Sequence, residues 1–303
     1  MLYIIVNLQI IRQYPMELSK CIICSGTNLK IMPDYAAASL VKCGDCNLVF
    51  SKRNPSADEL TAHYTNYPRY ENLSAITEKR YNELLDKFEP YRKNNNLIDL
   101  GCSNGLFLMC AKKRGWNVYG TEYAQESIDY CAKQNIRVFK SDKLPEEFFK
   151  LQFDVVTSFE VIEHINTPNP EMDFIKKILR KNGIFYVTTP NFNSISRFLL
   201  KEKWNVIEYP EHLTYYTANT LNNLMRKHGF KKLFLVTTGI SLSRFNQSRG
   251  KEDVNRTLND NADENLRKNI EKNFLLKGVK HLLNFLLNAF KIGDAMKGLY
   301  IHS

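Results

Sequence analysis

The stretch LIDLGCSNGLFL, residues 97–108, constrains the fold of this chain more than any other. An apolar run ends in an acid, Asp99, and two glycines four residues apart, Gly101 and Gly105, precede further apolar residues. A strand, a glycine-lined turn and a helix in this order are typical of α/β proteins that bind nucleosides. A dinucleotide fingerprint would place glycine at positions 101, 103 and 106, but the last two are serine and leucine here, which argues against a pyrophosphate site.

Strand-like and helix-like segments alternate around this stretch. Strands are predicted at Leu97–Leu100, Asn117–Gly120, Arg137–Lys140, Asp154–Ser158, Ile184–Thr188 and Lys232–Thr237. A helix-like run spans Ile76–Tyr91, and helical periodicity fills the intervals between the strands. The alternation predicts an α/β fold with a Rossmann-like, doubly wound, mostly parallel sheet. Ligands of such sheets bind beyond the carboxyl ends of the strands.

Two acids follow the next two strands of the predicted sheet. Glu122 comes 21 residues after Gly101, at a place where a carboxylate accepts hydrogen bonds from both ribose hydroxyls of a nucleoside. Asp142 follows the third strand, where it is expected to meet an adenine amino group. Together with Asp99, these acids predict an adenosine site that lacks a phosphate site.

Four cysteines near the start of the chain predict a metal site. Cys21 and Cys24 form one C-x2-C pair, Cys43 and Cys46 form a second, and 18 residues separate the pairs. Four thiolates complete a tetrahedral shell around Zn²⁺ and leave no open position, so the predicted site is structural. A redox pair or two accidental pairs are the alternatives, but two matched pairs are much rarer by chance than one.

These features divide the chain into four parts. The predicted parts are an extension at 1–15, a zinc-binding segment at 16–52, a connector or lid at 53–74, and a large domain at 75–303 with a polar insertion at 241–262. Whether residues 1–15 belong to the native protein is left open. Ser56 and Glu59 fit a capping box that starts a helix in the connector. The connector tyrosines, Tyr64, Tyr67 and Tyr70, are interpreted as packing residues or as a lid.

Composition argues against membrane-spanning and disulfide-framework proteins, but it does not identify a binding partner. No apolar run approaches the roughly 18 residues that a membrane span needs, and the start of the chain lacks the pattern of a signal peptide. The seven cysteines do not suggest a disulfide framework in a chain this long, so we expect a reducing, cytoplasmic location. The net charge of +10 suits nucleic acid, anionic lipid or phosphorylated small molecules.

The chain resembles the class I S-adenosylmethionine-dependent methyltransferases over about residues 75–302. Asp99, Gly101 and Gly105 match the first family motif, with serine replacing its frequent middle glycine, and Glu122 matches the ribose-binding acid. FDVVTSFEVIEHI and LRKNGIFYVTTPN match the fourth- and fifth-strand motifs, and IGDAMKGLYIH looks like the closing antiparallel strand. The resemblance implies S-adenosylmethionine as cofactor, with contacts from Asp99, Gly101, Cys102, Asn104, Gly105, Glu122, Tyr123, Asp142, Phe159 and Glu160.

The cysteine-rich segment narrows this resemblance to methyltransferases that modify sugars in nucleotide-linked or surface-polysaccharide pathways. In that group a Tyr-x-Glu-His sequence follows the fifth strand, and here EYPEHLTYYT supplies Tyr209, Glu211 and His212. The resemblance implies methyl transfer to a sugar. His212 is then the general base, Glu211 its partner or a binder of a substrate hydroxyl, and Tyr209 an orienting donor.

Other interpretations remain open at this point. His164 is the second candidate for the base, and Glu211 and His212 could instead only tie down a loop. An RNA methyltransferase would suit the zinc segment and the basic charge, but the cysteine segment lacks clustered basic and aromatic residues and TTPN is not a base-methylation motif. A non-catalytic module that binds zinc and a nucleoside is the third possibility. The sequence does not choose between C-, O- and N-methylation.

A late amphipathic helix is predicted from LLKGVKHLLNFLLNAFK. Its apolar face carries Leu275, Val279, Leu282, Leu286 and Phe290. Its opposite face carries Lys277, Lys280, Asn284, Asn288 and Lys291. We expect the apolar face to pack on the sheet, with a dimer contact or attachment to an anionic membrane surface as alternatives through residues 275–291.

Overall fold

The computed structural model describes residues 17–56, 59–60, 73–141, 144–240, 245 and 273–303. The strands of this part are β1 Leu29–Ile31, β2 Leu40–Cys43, β3 Val49–Ser51, β4 Asn96–Leu100, β5 Asn117–Glu122, β6 Arg137–Lys140, β7 Phe153–Phe159, β8 Leu179–Pro190, β9 Thr214–Tyr215, β10 Phe230–Thr238 and β11 Ala295–His302. The α-helices are α1 Ala75–Phe88, α2 Leu106–Lys113, α3 Gln125–Lys133, α4 Pro168–Ile178, α5 Ile195–Leu200, α6 Ala218–Lys227 and α7 Phe274–Ala289. Short 3-10 helices occupy Pro33–Ala38, Glu89–Tyr91, Glu146–Lys150, Ile162–His164 and Lys201–Lys203.

The large sheet has the strand order β10-β11-β8-β7-β4-β5-β6. The pairings from β8 to β6 are parallel, whereas β11 runs antiparallel between β8 and β10. This arrangement confirms the predicted doubly wound, mostly parallel sheet and its antiparallel closing strand. The carboxyl ends of β4, β5, β7 and β8 therefore meet at one edge, where this class of sheet binds its ligands.

The central strands are apolar on both faces because helices cover both sides of the sheet. Leu97 and Ile98 on β4 and Val155 and Val156 on β7 are fully buried. The six predicted strands correspond to β4 to β8 and β10, and each observed strand is as long as the predicted one or longer. The largest difference is β8, because its first residues continue directly from α4.

A small antiparallel sheet joins the cysteine-rich segment to the large domain. Its strand order is β1-β2-β3-β9, and β9 comes from the region after β8 of the large sheet. In the pairing of β3 with β9, Val49 lies opposite Tyr215 and Phe50 lies opposite Thr214. The sequence did not indicate this pairing, since β9 is only two residues long. It places the EYPEHLTYYT region directly beside the cysteine-rich segment.

The helix boundaries follow local chemistry. The side chain of Ser74 accepts a hydrogen bond from the backbone N–H of Thr77 and caps α1. The predicted helix over Ile76–Tyr91 ends earlier as an α-helix, and a 3-10 turn that contains Pro90 continues it. The predicted capping box forms, since Ser56 and Glu59 each bond the other's backbone N–H through the side chain.

The expected packing of α7 is wrong in one respect: the helix forms, but its apolar face does not cover the sheet. Val279, Leu282, Leu286 and Phe290 are 43–68% exposed. The helix contacts β10 through the other face, where the side-chain oxygens of Asn284 and Asn288 accept hydrogen bonds from backbone N–H groups and Leu287 is buried. Satisfying the polar groups at the end of β10 decides this orientation. The dimer or membrane contact stays a prediction.

Several predicted features lie outside the described residues. These are the 1–15 extension, the connector tyrosines Tyr64, Tyr67 and Tyr70, Asp142, and nearly all of the 241–262 insertion. Within the part of the chain that the structure does describe, no helix has the length and apolarity needed to cross a membrane.

Candidate functional site

The glycine-lined turn after β4 requires glycine at both predicted positions. Gly101 has a φ of +74° and Gly105 a φ of +69°, in the left-handed region that favours glycine. A Cβ atom on Gly101 would lie 2.6 Å from Cγ2 of Val161. The backbone therefore passes close to the residues that follow β7, and the turn leads into α2.

Asp99 lies at the end of β4 and is buried. Its Oδ1 accepts a hydrogen bond of 2.7 Å from the hydroxyl of Thr157 on β7. Burial raises the pKa of Asp99 to about 8, the Thr157 hydroxyl opposes that rise, and the negative charge of Glu122 adds to it. A buried carboxyl group of this kind is suited to hold a cationic group, because a nearby positive charge would restore its ionised form.

Glu122 ends β5, and three backbone N–H groups fix its carboxylate. Oε2 accepts from Ser103 at 2.9 Å, and Oε1 accepts from Tyr123 at 2.7 Å and from Ala124 at 3.0 Å. The turn after β4 and the turn after β5 are thus joined through one side chain. Oε2 retains acceptor capacity for a ribose hydroxyl, since an ionised carboxylate has about four lone-pair sites and three of them are taken.

We expect Glu122→Ala to weaken binding of S-adenosylmethionine by about tenfold or more. A hydrogen bond to a charged group contributes about 1.5–3 kcal/mol, and the variant would lose at least the bond that Oε2 can accept from the ribose. Isothermal calorimetry measures the change. Glu126→Ala on the first turn of α3 is the matched control. Equal affinity in wild type and Glu122→Ala, with both folded, would remove Glu122 from the cofactor site.

Aromatic side chains pack beside Asp99, and sequence reasoning missed most of them. Phe107 and Phe159 lie 5.0 Å apart between ring centroids, Tyr81 contacts both, and Tyr186 contacts Phe159. Burial and the negative charge of Asp99 raise the pKa of Tyr81 to about 12. Only Phe159 was predicted from the motifs. Tyr81 lies on α1, before the first motif, where nothing in the local sequence separates it from an ordinary packing residue.

The other predicted cofactor contacts lie in the same region of the fold. Cys102 and Asn104 are buried in the turn after β4. Glu160 follows β7 with a φ of +51°, and its N–H donates to the carbonyl oxygen of Thr188 at 3.1 Å. Tyr123 directly follows β5, and Lys140 lies 5.8 Å from its ring centroid. These residues thus lie in the turns after β4, β5 and β7, and their contacts with a cofactor stay a prediction.

The structure brings the two candidate bases together. The rings of His164 and His212 lie 4.8 Å apart between centroids. Nδ1 of His164 is 2.8 Å from the carbonyl oxygen of Glu211, and Nδ1 of His212 is 2.7 Å from that of Val206. Burial lowers the pKa of His164 well below its usual range, and His212 lowers it further, although the carbonyl oxygens of Glu211 and Glu160 oppose the shift. His164 is therefore neutral at physiological pH.

Glu163 completes this group, and sequence reasoning did not assign it a role. It is 2% exposed, and its Oε2 accepts a hydrogen bond of 2.9 Å from the hydroxyl of Thr189 on β8. Its Oε1 is buried and has no hydrogen-bond partner among the described residues. Burial raises the pKa of Glu163 well above its usual range, and the charge of Glu160 adds to the rise. The Glu-His pair in EVIEH was the available indication.

Ligand atoms of Glu163, His164 and His212 all lie within 4.8 Å of one another. We call these three residues the Glu-His-His group. It is built from the 3-10 turn after β7 and from the segment just before β9, with β8 supporting it through Thr189. Two imidazoles and a carboxylate at this spacing can exchange protons with a ligand or hold a metal ion.

Tyr209 and Glu211 lie in the same segment as His212, just before β9. The guanidinium of Arg53 lies 4.7 Å from the ring centroid of Tyr209. The Tyr209 hydroxyl is buried and lacks a hydrogen-bond partner among the described residues, and burial raises its pKa to about 12. Glu211 is buried, and its backbone carbonyl oxygen orients His164. Their predicted roles stay predictions.

The four predicted metal-binding cysteines form one cluster. Their Sγ atoms lie within 4.8 Å of one another, with Cys21 and Cys46 separated by 3.5 Å and Cys24 and Cys43 also by 3.5 Å. A tetrahedron of sulfurs at about 2.3 Å from Zn²⁺ has edges of about 3.8 Å, so the cluster fits this ion. All seven cysteines of the chain are unpaired thiols.

A basic cavity of about 680 Å³ lies where the small sheet meets α5 and α6. Four cationic residues line it, and no acidic residue does: Lys42, Arg197, Arg226 and Lys291. Phe192 and Thr217 also line it, in the loops that follow β8 and β9. The charge of the cavity suits an anionic ligand.

Comparison with known proteins identifies a methyltransferase domain in this chain. A family model described as a methyltransferase domain matches residues 73–234. The chain is 31% identical over 108 residues to the ubiquinone biosynthesis O-methyltransferase of Pelagibacter ubique, which covers 33% of this chain and 43% of that protein. It is 30% identical over 149 residues to the protein of the same name from Bartonella tribocorum, covering 46% and 58%. The chain thus spans about half the length of the curated relatives it matches.

A solved structure supports the same fold. The structure of a proposed sarcosine dimethylglycine methyltransferase from Galdieria sulphuraria superimposes with a TM-score of 0.50 at 14% identity, over 75% of this chain and 84% of that one. At this identity the likeness shows the fold alone. The matched family model, however, covers more than half of the chain. The protein therefore belongs to the methyltransferase domain family.

Proposed function

We propose that this protein transfers a methyl group from S-adenosylmethionine to a hydroxyl group of a small-molecule acceptor, and that the acceptor is a sugar linked to a nucleotide or built into a glycan. The observation that carries the proposal is the Glu-His-His group, because it lies at the same edge of the sheet as Asp99 and Glu122. Membership of the methyltransferase domain family supports the reaction. The O-methyltransferase names of the relatives favour oxygen as the attacking atom.

The residues of this chain would divide the work between binding and proton transfer. Glu122 would hold the ribose of S-adenosylmethionine, and Asp99 would face its cationic amino acid part. The bound cofactor supplies an electrophilic methyl group on sulfur, so no covalent enzyme intermediate is needed. The acceptor oxygen must be aligned with the methyl–sulfur bond and must lose its proton. His212 would accept that proton at Nε2, because its Nδ1 faces the carbonyl oxygen of Val206.

The basic cavity supports an acceptor that carries phosphate. Its four cations would hold the diphosphate of a nucleotide-linked sugar. Lys42 comes from β2, next to Cys43, so the cysteine-rich segment would contribute directly to acceptor binding. A role of Lys42 in acceptor binding would explain why the small sheet is joined to the large domain through β9.

A phenolic acceptor is the second candidate, because the relatives are named for ubiquinone biosynthesis. Incubation with methyl-labelled S-adenosylmethionine separates the candidates. One reaction contains a mixture of nucleotide sugars, one contains a lipid extract rich in quinols, and one contains total RNA as a control. We expect label in the nucleotide-sugar fraction, in a product that phosphodiesterase cleaves. Label in the quinol extract alone would replace the sugar by a phenol, and label only in RNA would overturn both.

We further propose that the cysteine cluster holds one structural Zn²⁺. Four thiols at tetrahedral spacing support the assignment, and a segment of this size has too little core to be stable alone. The unpaired cysteines elsewhere in the chain support a reducing location such as the cytoplasm.

A further inference from the structure

The apolar face of α7 is exposed to solvent over most of its length. In the described part of this helix and the residue after it, seven large apolar side chains are 43–68% exposed, and the four most exposed are Val279, Leu282, Phe285 and Phe290. At about 100° per residue, these seven side chains occupy about half of the helix circumference. Single exposed apolar side chains are common on protein surfaces, but a continuous apolar face indicates an interaction surface.

Hydrogen bonds to the edge strand of the large sheet, β10, hold this face outward. Oδ1 of Asn284 accepts from the backbone N–H of Gly239 at 2.9 Å. Oδ1 of Asn288 accepts from the N–H of Thr237 at 3.0 Å, and the Thr237 hydroxyl donates to the carbonyl oxygen of Leu287 at 2.8 Å. Rotating the helix to bury its apolar face would break these bonds and leave N–H groups of β10 unpaired, so the outward direction is part of the fold.

Charge distinguishes between the candidate occupants of this face. Residues 273–293 contain three lysines, Lys277, Lys280 and Lys291, and no acidic residue. The lysines lie on the side of the helix opposite its apolar face, and the whole chain has a net charge of +10. An anionic lipid surface complements this charge, whereas a second copy of the chain would bring two positively charged surfaces together.

We propose that α7 docks on a membrane surface that contains anionic lipid, with its apolar face at the boundary between headgroups and acyl chains. The helix has 16 residues and is about 24 Å long, which is less than the roughly 30 Å of a hydrocarbon core, so it lies along the surface. Leucine and phenylalanine on one face and lysine on the other are typical of interfacial helices. This attachment does not depend on the proposed methyl transfer.

A second exposed apolar element adjoins α7. Phe198 and Leu199 on α5 are 53% and 67% exposed. The helix α5 begins beside the turn after α7, where the N–H of Ile195 donates to the carbonyl oxygen of Ile292 at 3.0 Å. Lys203 follows α5 and is exposed. The region therefore adds apolar and basic side chains next to α7, as an anionic lipid surface requires.

Flotation with lipid vesicles tests the docking surface on the intact chain. One vesicle population contains phosphatidylcholine and phosphatidylglycerol, and a second contains phosphatidylcholine alone. We expect the wild type to bind the anionic vesicles with an affinity that falls as salt is added. Phe285→Asp should weaken this binding by about tenfold or more, because a carboxylate replaces an inserted aromatic side chain. Lys277→Gln should weaken it by about fivefold, because one positive charge is lost.

Ile31→Asp is the matched control, because Ile31 is 76% exposed on β1, outside α7 and α5. Circular dichroism establishes that each variant is folded, and Phe285→Asp should keep wild-type affinity for S-adenosylmethionine. Absence of binding to the anionic vesicles, equal binding to both populations, or unchanged binding in Phe285→Asp would overturn the proposal. A dimer that Phe285→Asp dissociates in analytical ultracentrifugation, without vesicle binding, would assign the face to a second copy instead. Vesicle binding by a chain that methylates no acceptor would support the docking surface and remove the proposed function.

Discussion

His212→Ala is expected to lower turnover by about 10²–10⁴-fold while leaving affinity for S-adenosylmethionine nearly unchanged. General-base assistance is worth about that factor. His212 belongs to the segment before β9, whereas Asp99 and Glu122, the proposed cofactor-binding residues, lie at the ends of β4 and β5. The change should therefore appear in turnover on the true acceptor and not in the Kd of the cofactor.

Two controls make this measurement specific. His228→Ala removes a histidine at the end of α6 that contacts Asn169 and Asp173, and it should keep wild-type turnover. His212→Gln keeps a polar side chain of similar size without an imidazole, and it should be nearly as slow as His212→Ala. If His212→Ala kept near-normal turnover, the hydrogen bond between His212 and Val206 would only stabilise the loop, and His164 would be the next candidate base.

The large sheet could be predicted because short stretches of sequence mark each of its strands. Apolar residues dominate the buried central strands, and the acids and glycines mark the ends of strands in a fixed order along the chain. The parallel order then follows from the few topologies that such alternation allows. The small sheet was only half predictable, since β9 has two residues and its pairing with β3 depends on where the large domain places Thr214.

The candidate site likewise combines residues that the local sequence predicts with residues that only the tertiary fold brings together. Asp99 and Glu122 lie at strand ends, so their positions follow from the sheet. His164 and His212 lie 48 positions apart in the sequence, and they meet only because the segment before β9 folds back beside the turn after β7. Sequence reasoning therefore treated them as alternatives. Glu163 was missed although it stands beside His164 in EVIEH, because its burial and its contact with Thr189 on β8 depend on the tertiary fold.

The helix α7 shows how a pattern can predict an element and mislead about its packing. Its apolar residues repeat with helical spacing, and the helix forms. The side-chain amides of Asn284 and Asn288 nevertheless face β10, because they satisfy backbone N–H groups of Thr237 and Gly239. Periodicity measures the contrast between two faces, but it does not contain the hydrogen-bond needs of the neighbouring strand.

Cys43→Ser is expected to lose the metal of the cysteine cluster and with it the order of the small sheet. Cys43 is fully buried at the end of β2. Zn²⁺ contributes about 10–16 kcal/mol to the folding of small zinc domains at neutral pH. Elemental analysis should fall from about one equivalent of zinc to well below one. Limited proteolysis should cut within 17–56, while the large domain remains resistant.

The consequence for activity follows from the pairing of β3 with β9. Thr214 lies opposite Phe50, two positions after His212, so disorder in the small sheet would free the segment that carries His212. Lys42 of the basic cavity would be displaced as well. We therefore expect turnover to fall at least as far in Cys43→Ser as in His212→Ala, with a much smaller change in affinity for S-adenosylmethionine.

Cys110→Ala is the matched control, because Cys110 is equally buried but lies on α2, outside the cluster. It should retain zinc, proteolytic resistance and turnover. A Cys43→Ser protein that kept full turnover after losing its zinc would show that the small sheet does not hold the His212 segment in place. In that case zinc could still bind the cysteine cluster. The inference that the small sheet positions the Glu-His-His group through β9 would be wrong.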